Sequence, residues 1–399
     1  MSNFKNKVLI VGAGPTGLVC ALSLAKKGID VEVFEKLPDR AYDLRASTIH
    51  PPTMQMLADL GIIDELINQG ITSPFWQFRD RKEGALAIFD MSVMKDDVKY
   101  PFRLQCEQFK VTAELLKSLK NYPNAKVNFY HEAKNVIQDE NEVTLTLECQ
   151  GNDIRVKGNY LIAADGASSI IRHCLNINFE GYTFPERFLI LSTPYEFKDI
   201  IPDLSISNYI SDPDEWLVML RVKEFWRVLF PTIPGENEVD IMNASNLQNK
   251  LKNISNLESD MEIAHQTLYH VHQRVATNYR VGRVLLAGDA AHINNPLGGM
   301  GMNGGIHDAV NLSEKLISVL EGENDHLLDR YSRQRRTVAI DYVQQWTVRN
   351  REILKEKDPA IRKNNLDELR KLSENKELTL KYLRKTSMLA SLELAESIE

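Results

Sequence analysis

The sequence predicts an α/β fold that carries an inserted antiparallel β-sheet and ends in a helical segment. The first observation is a short apolar stretch at 7–11, followed by GAGPTG and then by helical spacing of apolar residues. The second is an aromatic and β-branched stretch at 185–275 with Pro and Gly turns, which is typical of an antiparallel sheet. The third is a charged, lysine-rich stretch at 326–399 with a helical pattern. Together they predict a Rossmann-like unit that a second sheet interrupts.

Composition and charge limit the class of protein. The chain has 399 residues, 43% apolar and 26% charged, which is enough for two or three domains or one large domain with an insertion. The net charge of -7 argues against a general nucleic-acid binder, which would show a basic surface. Four cysteines without zinc-ligand spacing predict no metal site, and with no signal-like start they favour a cytoplasmic protein. No stretch reaches the ~18 apolar residues of a membrane span.

The first motif joins a predicted strand at 7–11 to a predicted helix at 15–27. It consists of Gly12, Ala13, Gly14, Pro15, Thr16 and Gly17. Gly12 permits the tight turn, Gly14 lets a pyrophosphate approach the backbone, and Gly17 lets helix and strand pack closely. The helix N-terminus offers N–H groups and a partial positive charge to phosphates. The motif therefore predicts a dinucleotide site, the alternative being a glycine turn without a ligand.

A second predicted strand, at 30–36, completes a βαβ unit and carries Glu35 near its end. This acidic residue follows the glycines by about 20 residues, where a carboxylate accepts hydrogen bonds from ribose hydroxyls. The same carboxylate disfavours a 2′-phosphate. The site therefore suits FAD or NAD rather than NADP.

The next segments alternate between helices and strands. Residues 51–69 are predicted to be helical with a break at Gly61, and residues 107–120 form a second predicted helix. Strands are predicted within 126–164. The last of them runs into Asp165-Gly166 and a short helix with Arg172, a pattern that also fits an ordinary strand end with a helix cap.

The third motif starts at a predicted strand, 284–287, that ends in Gly288-Asp289. A carboxylate at the end of a strand can hold a ribityl or ribose hydroxyl. Gly298, Gly299, Met300, Gly301, Met302 and Asn303 follow ahead of a helix. Such bare backbone can lie against an isoalloxazine ring and stabilise negative charge near its pyrimidine end. The alternative is a flexible loop.

These three motifs, in this order, resemble the single-component FAD-dependent monooxygenases of the aromatic hydroxylase type (the para-hydroxybenzoate hydroxylase superfamily, which is phenol hydroxylase-like). The resemblance covers about residues 5–350. It implies that Arg45 contacts the flavin pyrophosphate and that Gln108 touches the cofactor, with Gln105 as a competitor. The implied FAD contacts are Gly12, Ala13, Gly14, Pro15, Thr16, Gly17, Glu35, Lys36, Arg45, Gln108, Asp165, Gly166, Gly288, Asp289, Pro296, Gly299, Gly301, Met302 and Asn303.

The resemblance also implies a division into domains. The FAD-binding domain is expected in three parts, at 1–73, 106–180 and 277–350. The substrate sheet is expected at 74–105 and 181–276, followed by C-terminal helices at 351–399. These helices are expected to cover the core or an interface.

The implied activity is the hydroxylation of a small, phenol-like aromatic substrate. NAD(P)H reduces FAD, the reduced flavin binds O2, and a flavin C4a-hydroperoxide delivers one oxygen atom to the ring. Pro296, whose carbonyl faces the substrate in the family, and His50 are the catalytic candidates. His292 is expected to be structural, and Arg172 is a candidate contact for NAD(P)H.

The substrate wall is expected in the inserted sheet. Its polar and aromatic candidates are Tyr195, Tyr209, Trp216, Arg221 and Trp226, none of them preferred. A basic residue for an acidic substrate is not placed by the sequence, and a homodimer is left open. The alternatives are a flavin-dependent halogenase, whose WxWxIP signature is absent, a reductase of isoprenoid chains, and a non-catalytic FAD-binding protein.

Overall fold

The computed structural model describes residues 6–42, 44, 46–255 and 257–399, so the predicted contact Arg45 lies outside the described residues. The strands are β1 (Lys7–Val11), β2 (Asp30–Phe34), β3 (Thr48–Ile49), β4 (Ile71–Ser73), β5 (Phe75–Asp80), β6 (Gly84–Asp90), β7 (Arg103–Gln105), β8 (Ala125–Asn128), β9 (Glu132–Gln138), β10 (Val143–Cys149), β11 (Asn152–Gly158), β12 (Tyr160–Ala163), β13 (Phe179–Thr193), β14 (Ser207–Ser211), β15 (Leu217–Arg221), β16 (Trp226–Pro231), β17 (His265–Ala276), β18 (Arg280–Val281), β19 (Val284–Leu286) and β20 (His292–Ile293).

The helices follow the same chain order. They are α1 (Pro15–Lys26), α2 (Pro51–Asp59), α3 (Ile63–Gln69), α4 (Gln108–Leu119), α5 (Ile170–Cys174), α6 (Glu238–Ile241), α7 (Ala244–Lys252), α8 (Gly301–Leu320), α9 (His326–Val338), α10 (Gln345–Lys355), α11 (Pro359–Glu374), α12 (Lys376–Thr386) and α13 (Leu389–Glu396). A π-helical segment, Ala339–Gln344, joins α9 to α10.

The first sheet forms the Rossmann-like unit. Within the described ranges it has six strands in the order β18-β19-β12-β1-β2-β8, and every neighbouring pair except β18–β19 is parallel. Its central strands β12 and β19 are buried throughout, as expected for a parallel sheet covered by helices. The second strand ends at Phe34, earlier than predicted, so that Glu35 is the first residue beyond it.

The second sheet corresponds to the predicted insertion. Over the part of the chain that is described, it has eight strands in the order β20-β17-β13-β16-β15-β14-β5-β6. Its pairs are antiparallel except β14–β5, which pair in parallel. The predicted antiparallel sheet therefore contains this one parallel pair, because β5 comes from a segment well before β14 and no hairpin joins the two strands. Helices α6 and α7 also interrupt the stretch that was predicted as sheet.

The two faces of the second sheet bury different clusters, because side chains along a strand alternate between its faces. In β16, Trp226, Val228 and Phe230 face a cluster that α6 and α7 cover. Leu229 faces the opposite way, into a cluster that also contains Ile190. We call this second set the cavity-side cluster.

The C-terminal helices cover the cavity-side cluster. Leu366 and Leu369 of α11 and Tyr382 and Leu383 of α12 belong to it. An ion pair between Arg351 and Glu186 ties α10 to the second sheet. The helical C-terminal segment is thus confirmed, and its helices cover the core. The predicted domain boundaries stay a prediction. Among the described helices, none has both the length and the apolar character needed to cross a membrane.

Candidate active site

A cavity of about 700 Å³ lies between the two sheets. One side is formed by the glycine loop after β1, by the residues after β2 and β12, and by the start of α8. The other side is formed by strands of the second sheet. The predicted FAD residues that line it are Gly12, Ala13, Gly14, Pro15, Thr16, Glu35, Lys36, Gln108, Asp165, Gly166, Asp289, Pro296, Gly299, Gly301 and Met302.

The glycine loop has the geometry of a phosphate cradle. Gly12 has φ of 102°, and a Cβ placed on it would lie 2.2 Å from the Ala164 carbonyl oxygen. A Cβ on Gly17 would lie 2.1 Å from the Gly12 oxygen, so both positions require glycine for packing. A Cβ on Gly14 would meet no atom within 4 Å. The space beside Gly14 is therefore open to a group that approaches the N-terminus of α1.

Glu35 is fixed by the backbone around it. Its Oε2 accepts a hydrogen bond from the Ala13 N–H at 2.9 Å, and its Oε1 accepts one from the Leu37 N–H at 3.0 Å. Because a carboxylate has about four acceptor positions, capacity remains for ribose hydroxyls. The two contacts hold the carboxylate beside the glycine loop.

Asp165 presents an acceptor to the same cavity. Its Oδ2 accepts from the Ile171 N–H at 3.2 Å, whereas its buried Oδ1 accepts no hydrogen bond from a described residue. Burial raises the pKa of this carboxyl group above its usual value. A buried acceptor without a partner costs free energy, and a hydroxyl or amide of a bound cofactor would satisfy it.

The Gly288-Asp289 turn is held by a hydrogen bond to the side chain of Asp308 in α8. The Asp308 Oδ2 accepts from the Gly288 N–H at 3.0 Å and from His292 Nε2 at 2.7 Å, and its Oδ1 accepts from Arg335 Nε at 2.6 Å. Burial alone would raise the pKa of Asp308, but the charges and hydrogen bonds of His292 and Arg335 outweigh it and lower the pKa to about 2. His292 therefore serves this network, in keeping with its predicted structural role.

The loop ahead of α8 is held by Asn303. Its Nδ2 donates to the carbonyl oxygens of Thr48 at 2.8 Å and Gly299 at 2.6 Å, and its Oδ1 accepts from the His50 N–H at 2.9 Å. Asn303 is fully buried. It does not belong to the described cavity lining, and neither do Gly17 and Gly288. Gly301 and Met302 line the cavity at the start of α8, where the first N–H groups have no acceptor within the helix.

His50, a catalytic candidate from the sequence, is hydrogen-bonded to the loop ahead of α8. Its side chain is fully buried, and its Nε2 donates to the Gly298 carbonyl oxygen at 2.9 Å. Burial, with a smaller contribution from the positive charge of Arg103, lowers the pKa of His50 to about 3. The ring is thus neutral at physiological pH, and it is not among the described residues that line the cavity.

The structure separates the two competing glutamines. Gln108 lines the cavity at the start of α4. Gln105 lies in a buried hydrogen-bond chain, in which its Oε1 accepts from Thr48 Oγ1 at 3.1 Å and its Nε2 donates to Ser207 Oγ at 3.0 Å. Gln108 is therefore the better placed of the two to meet a cofactor.

The second sheet supplies a largely apolar wall. The described wall residues are Ile190, Tyr209, Val218, Leu220, Arg227, Leu229, Tyr269, His270, Val271, His272 and Ile293. Of the sequence candidates, only Tyr209 belongs to this wall. Trp226 packs on the opposite face and donates to Glu196 at 2.9 Å, and Trp216 packs edge-on against Phe188. Arg227 was missed, although alternation along β16 places it opposite Trp226.

Arg172 is a structural residue. Its guanidinium donates to the carbonyl oxygens of Ala290 at 3.0 Å and Ala167 at 2.8 Å, and it lies over the Phe179 ring at 3.9 Å. The side chain is buried, so the prediction of a surface contact to NAD(P)H was wrong. Arg172 instead connects the loop after β12 to the Gly288-Asp289 turn.

These residues fit FAD. The open space beside Gly14 suits a pyrophosphate, and Glu35 retains acceptor positions for a ribose. The Asp165 Oδ1 has no hydrogen-bond partner among the described residues and can accept from a cofactor. Gly301 and Met302 at the start of α8 also line the cavity, where the first N–H groups of the helix have no acceptor within it. Fold and site together define a flavin-binding protein.

Comparison with known proteins agrees with this definition. The family described as FAD binding domain matches residues 5–346, and the chain belongs to that family. Within it, the chain is an FAD-dependent monooxygenase of the aromatic hydroxylase type. The family, fold class, enzyme class and FAD cofactor expected from the sequence are thereby confirmed.

Three similar proteins illustrate the relationship. Para-nitrophenol 4-monooxygenase from Pseudomonas sp. strain WBC-3 is 33% identical over 361 residues, which are 89% of each chain. The 6-hydroxy-3-succinoylpyridine 3-monooxygenase HspB of Pseudomonas putida is 30% identical over 368 residues, covering 91% of this chain and 92% of the relative. The crystal structure of a p-nitrophenol 4-monooxygenase from Pseudomonas putida superposes with a TM-score of 0.91 at 30% identity and covers 98% of both chains.

Proposed function

We propose that the protein hydroxylates a small phenol-like substrate in the cavity between the two sheets, with NAD(P)H as the electron donor. One observation carries the proposal. A single cavity is lined on one side by the FAD motifs and on the other by the apolar face of the second sheet. The names of the similar proteins, which include two p-nitrophenol monooxygenases, support a phenolic substrate.

When bound and reduced, FAD supplies the activation of O2, so that one oxygen atom enters the ring and the other leaves as water. The chain contributes binding, orientation and the exclusion of water. Ile190, Val218 and Leu229 form an apolar surface against which an aromatic ring can pack. A dry wall of this kind strengthens each electrostatic contact inside the cavity.

The cofactor contacts predicted from the sequence are part of the proposal. Within it, Gly14 faces the pyrophosphate, Glu35 holds a ribose, and Asp289 holds the ribityl chain. Gly301 and Met302 offer N–H groups near the pyrimidine end of the ring. Pro296 also lines the cavity, and its carbonyl oxygen accepts from the Gly299 N–H at 3.0 Å. A second lone pair on that oxygen remains for a substrate hydroxyl.

The test is NAD(P)H oxidation by the FAD-loaded protein across phenols, hydroxybenzoates and hydroxylated heterocycles, with product mass. We expect oxidation stimulated by at least one phenol and a product heavier by one oxygen atom. The matched control is Gly14→Val, whose side chain points into open space and should leave the fold intact while excluding FAD. Yellow, FAD-loaded protein that no aromatic compound stimulates would favour the non-catalytic FAD-binding alternative.

Two finer expectations stay predictions. The four free cysteines fit a cytoplasmic, reducing location, which fractionation of the source cells tests. A homodimer, which the sequence leaves open, is tested by light scattering of the holoenzyme.

A further inference from the structure

A small apolar cluster holds Met300, the last residue of the loop ahead of α8. The described members of this cluster, which we call the loop-support cluster, are Met300, Val338, Tyr342, Val343, Met388 and Ala395. Met300 and Met388 are both fully buried. The described lining of the cavity includes none of the six. The cluster therefore joins the loop ahead of α8 to the π-helical segment and to α13 without forming part of the cavity.

Met388 has a backbone conformation that a side chain disfavours. It follows the end of α12 with φ of 66° and ψ of 12°, in the left-handed region. Its N–H donates to the Lys385 carbonyl oxygen at 3.1 Å and so closes the end of the helix. Glycine is the usual residue at this position, because a side chain in the left-handed region costs free energy. The contacts around Met388 must therefore offset a cost that glycine would avoid.

The π-helical segment brings a second unusual piece of backbone to the same cluster. The hydroxyl group of Tyr342, within that segment, donates to the same Lys385 carbonyl oxygen. Both π-helical turns and residues in disfavoured conformations are frequent at functional sites. Met388 lies beyond the family match at 5–346, so that match gives it no role. The convergence of two irregular segments indicates that this cluster does more than fill space.

The side chain of Met388 lies beside the first turn of α8. Its Cε is 4.0 Å from the position of a Cβ placed on Gly304. The Gly304 N–H in turn donates to the Met300 carbonyl oxygen at 2.7 Å. The same turn contains Gly301 and Met302, which line the cavity. Met388 thus packs against the turn whose first N–H groups are open to a cofactor.

We propose that Met388 is a positioning residue for the flavin. This proposal rests on the proposed function, in which the first N–H groups of α8 meet the pyrimidine end of the ring. The Met388 side chain fills the space beside Met300 and Gly304, and it thereby holds the turn at a fixed distance from the ring. Because those N–H groups stabilise negative charge on the ring, their placement affects how tightly FAD binds and how readily it is reduced.

The experiment separates the side chain of Met388 from its backbone. Met388→Ala removes most of the side chain and keeps the disfavoured conformation, whereas Met388→Gly also relieves that conformation. Met388→Leu keeps a side chain of similar volume. The rise of flavin fluorescence on dilution of the holoenzyme gives the Kd for FAD. A redox titration gives the midpoint potential of the bound FAD, and thermal unfolding of the holoenzyme gives the Tm.

We expect Met388→Ala and Met388→Gly to weaken FAD binding alike, by about tenfold, the lower end of the loss that supporting residues cause at metal sites. Both should shift the midpoint potential of the bound FAD to more negative values, because the negative charge of the reduced ring is stabilised less. Met388→Gly should nevertheless have a higher Tm than Met388→Ala. Met388→Leu should bind FAD as wild type does.

The control is Leu383→Ala, a similar truncation in the neighbouring helix α12. It should lower the Tm but leave the Kd and the midpoint potential unchanged, because Leu383 packs in the cavity-side cluster. If Met388→Ala yields no folded protein, Met388→Gly decides the question. Wild-type affinity for FAD in Met388→Gly, or an equal loss of affinity in Leu383→Ala, would overturn the role of Met388. FAD-loaded wild type that no phenol stimulates would instead overturn the proposed function and leave the comparison of variants intact.

Discussion

At the scale of single residues, Asp308 shows how one buried carboxylate can organise a cofactor loop. It joins the Gly288 N–H, His292 and Arg335, and these groups come from three separate elements. The turn that carries Asp289 is therefore positioned by a residue that does not itself line the cavity. Supporting contacts of this kind orient the groups that touch a ligand, as they do for metal ligands.

Asp308→Asn should lower the free energy of unfolding by roughly 3 kcal/mol at neutral pH, because it leaves Arg335 buried without its charge partner. The folded-state pKa of Asp308 is about 2 against a usual 3.8, so its contribution is complete above about pH 4 and is lost as the pH falls towards 2. The gap between wild type and variant should therefore shrink in acid. Urea unfolding followed by tryptophan fluorescence from neutral pH downwards measures it.

The control for this series is Glu314→Gln, which changes an exposed carboxylate on the same helix, α8. Its stability should follow wild type at every pH. A gap between Asp308→Asn and wild type that does not depend on pH would contradict the role given to the charge.

At the scale of elements, helix α12 closes the apolar core above the second sheet. Leu383 is fully buried in the cavity-side cluster, whereas Leu378 on the same helix is 39% exposed. The cluster is shared with wall residues such as Leu229 and Val218. The C-terminal helices therefore stabilise the substrate wall although the last of them lie beyond the family match at 5–346.

Leu383→Ala should destabilise the protein by about 2–5 kcal/mol, because it leaves a cavity in a packed cluster. Leu378→Ala, the matched change on the exposed side of α12, should cost far less. The affinity for FAD should hardly change in either variant, since neither residue lines the cavity. Thermal unfolding and FAD titration measure the two effects. An equal loss of stability in both variants would show that α12 does not pack in this way.

At the scale of the whole molecule, the cofactor site lies between two sheets, and residues of both line it. A ligand that binds only the folded state stabilises it by about 2.7 kcal/mol at a hundred times its Kd. FAD should therefore slow amide hydrogen exchange in β16 of the second sheet as well as in β1 of the first. Exchange measured with and without FAD tests this, and protection confined to the six-stranded sheet would argue against a shared site.

The sequence predicted the parts of the fold that depend on local pattern. The strand, glycine loop and helix at 7–27 are consecutive, and their periodicity and turn residues are visible in the chain itself. Trp226 was a poor candidate for the wall, because side chains along β16 alternate between the two faces of the sheet and Trp226 lies on the face away from the cavity. Arg227 lies on the cavity face, but its neighbour was chosen for its aromatic side chain alone. The buried Arg103 lies over the Trp76 ring, and Tyr209 and Tyr382 approach it from distant segments. No local pattern gives such a juxtaposition.

The separation of the site along the chain has a consequence for biosynthesis. His50 and Asn303 form a hydrogen bond next to the loop ahead of α8, yet they are 253 residues apart in sequence. Strand β19, which extends the first sheet next to β12, also follows every strand of the inserted sheet except β20. A ribosome must therefore release most of the chain before the nucleotide-binding sheet can close. Until then the apolar wall of the second sheet has neither cofactor nor C-terminal helices over it, and exposed apolar surface of this kind favours aggregation of the nascent chain.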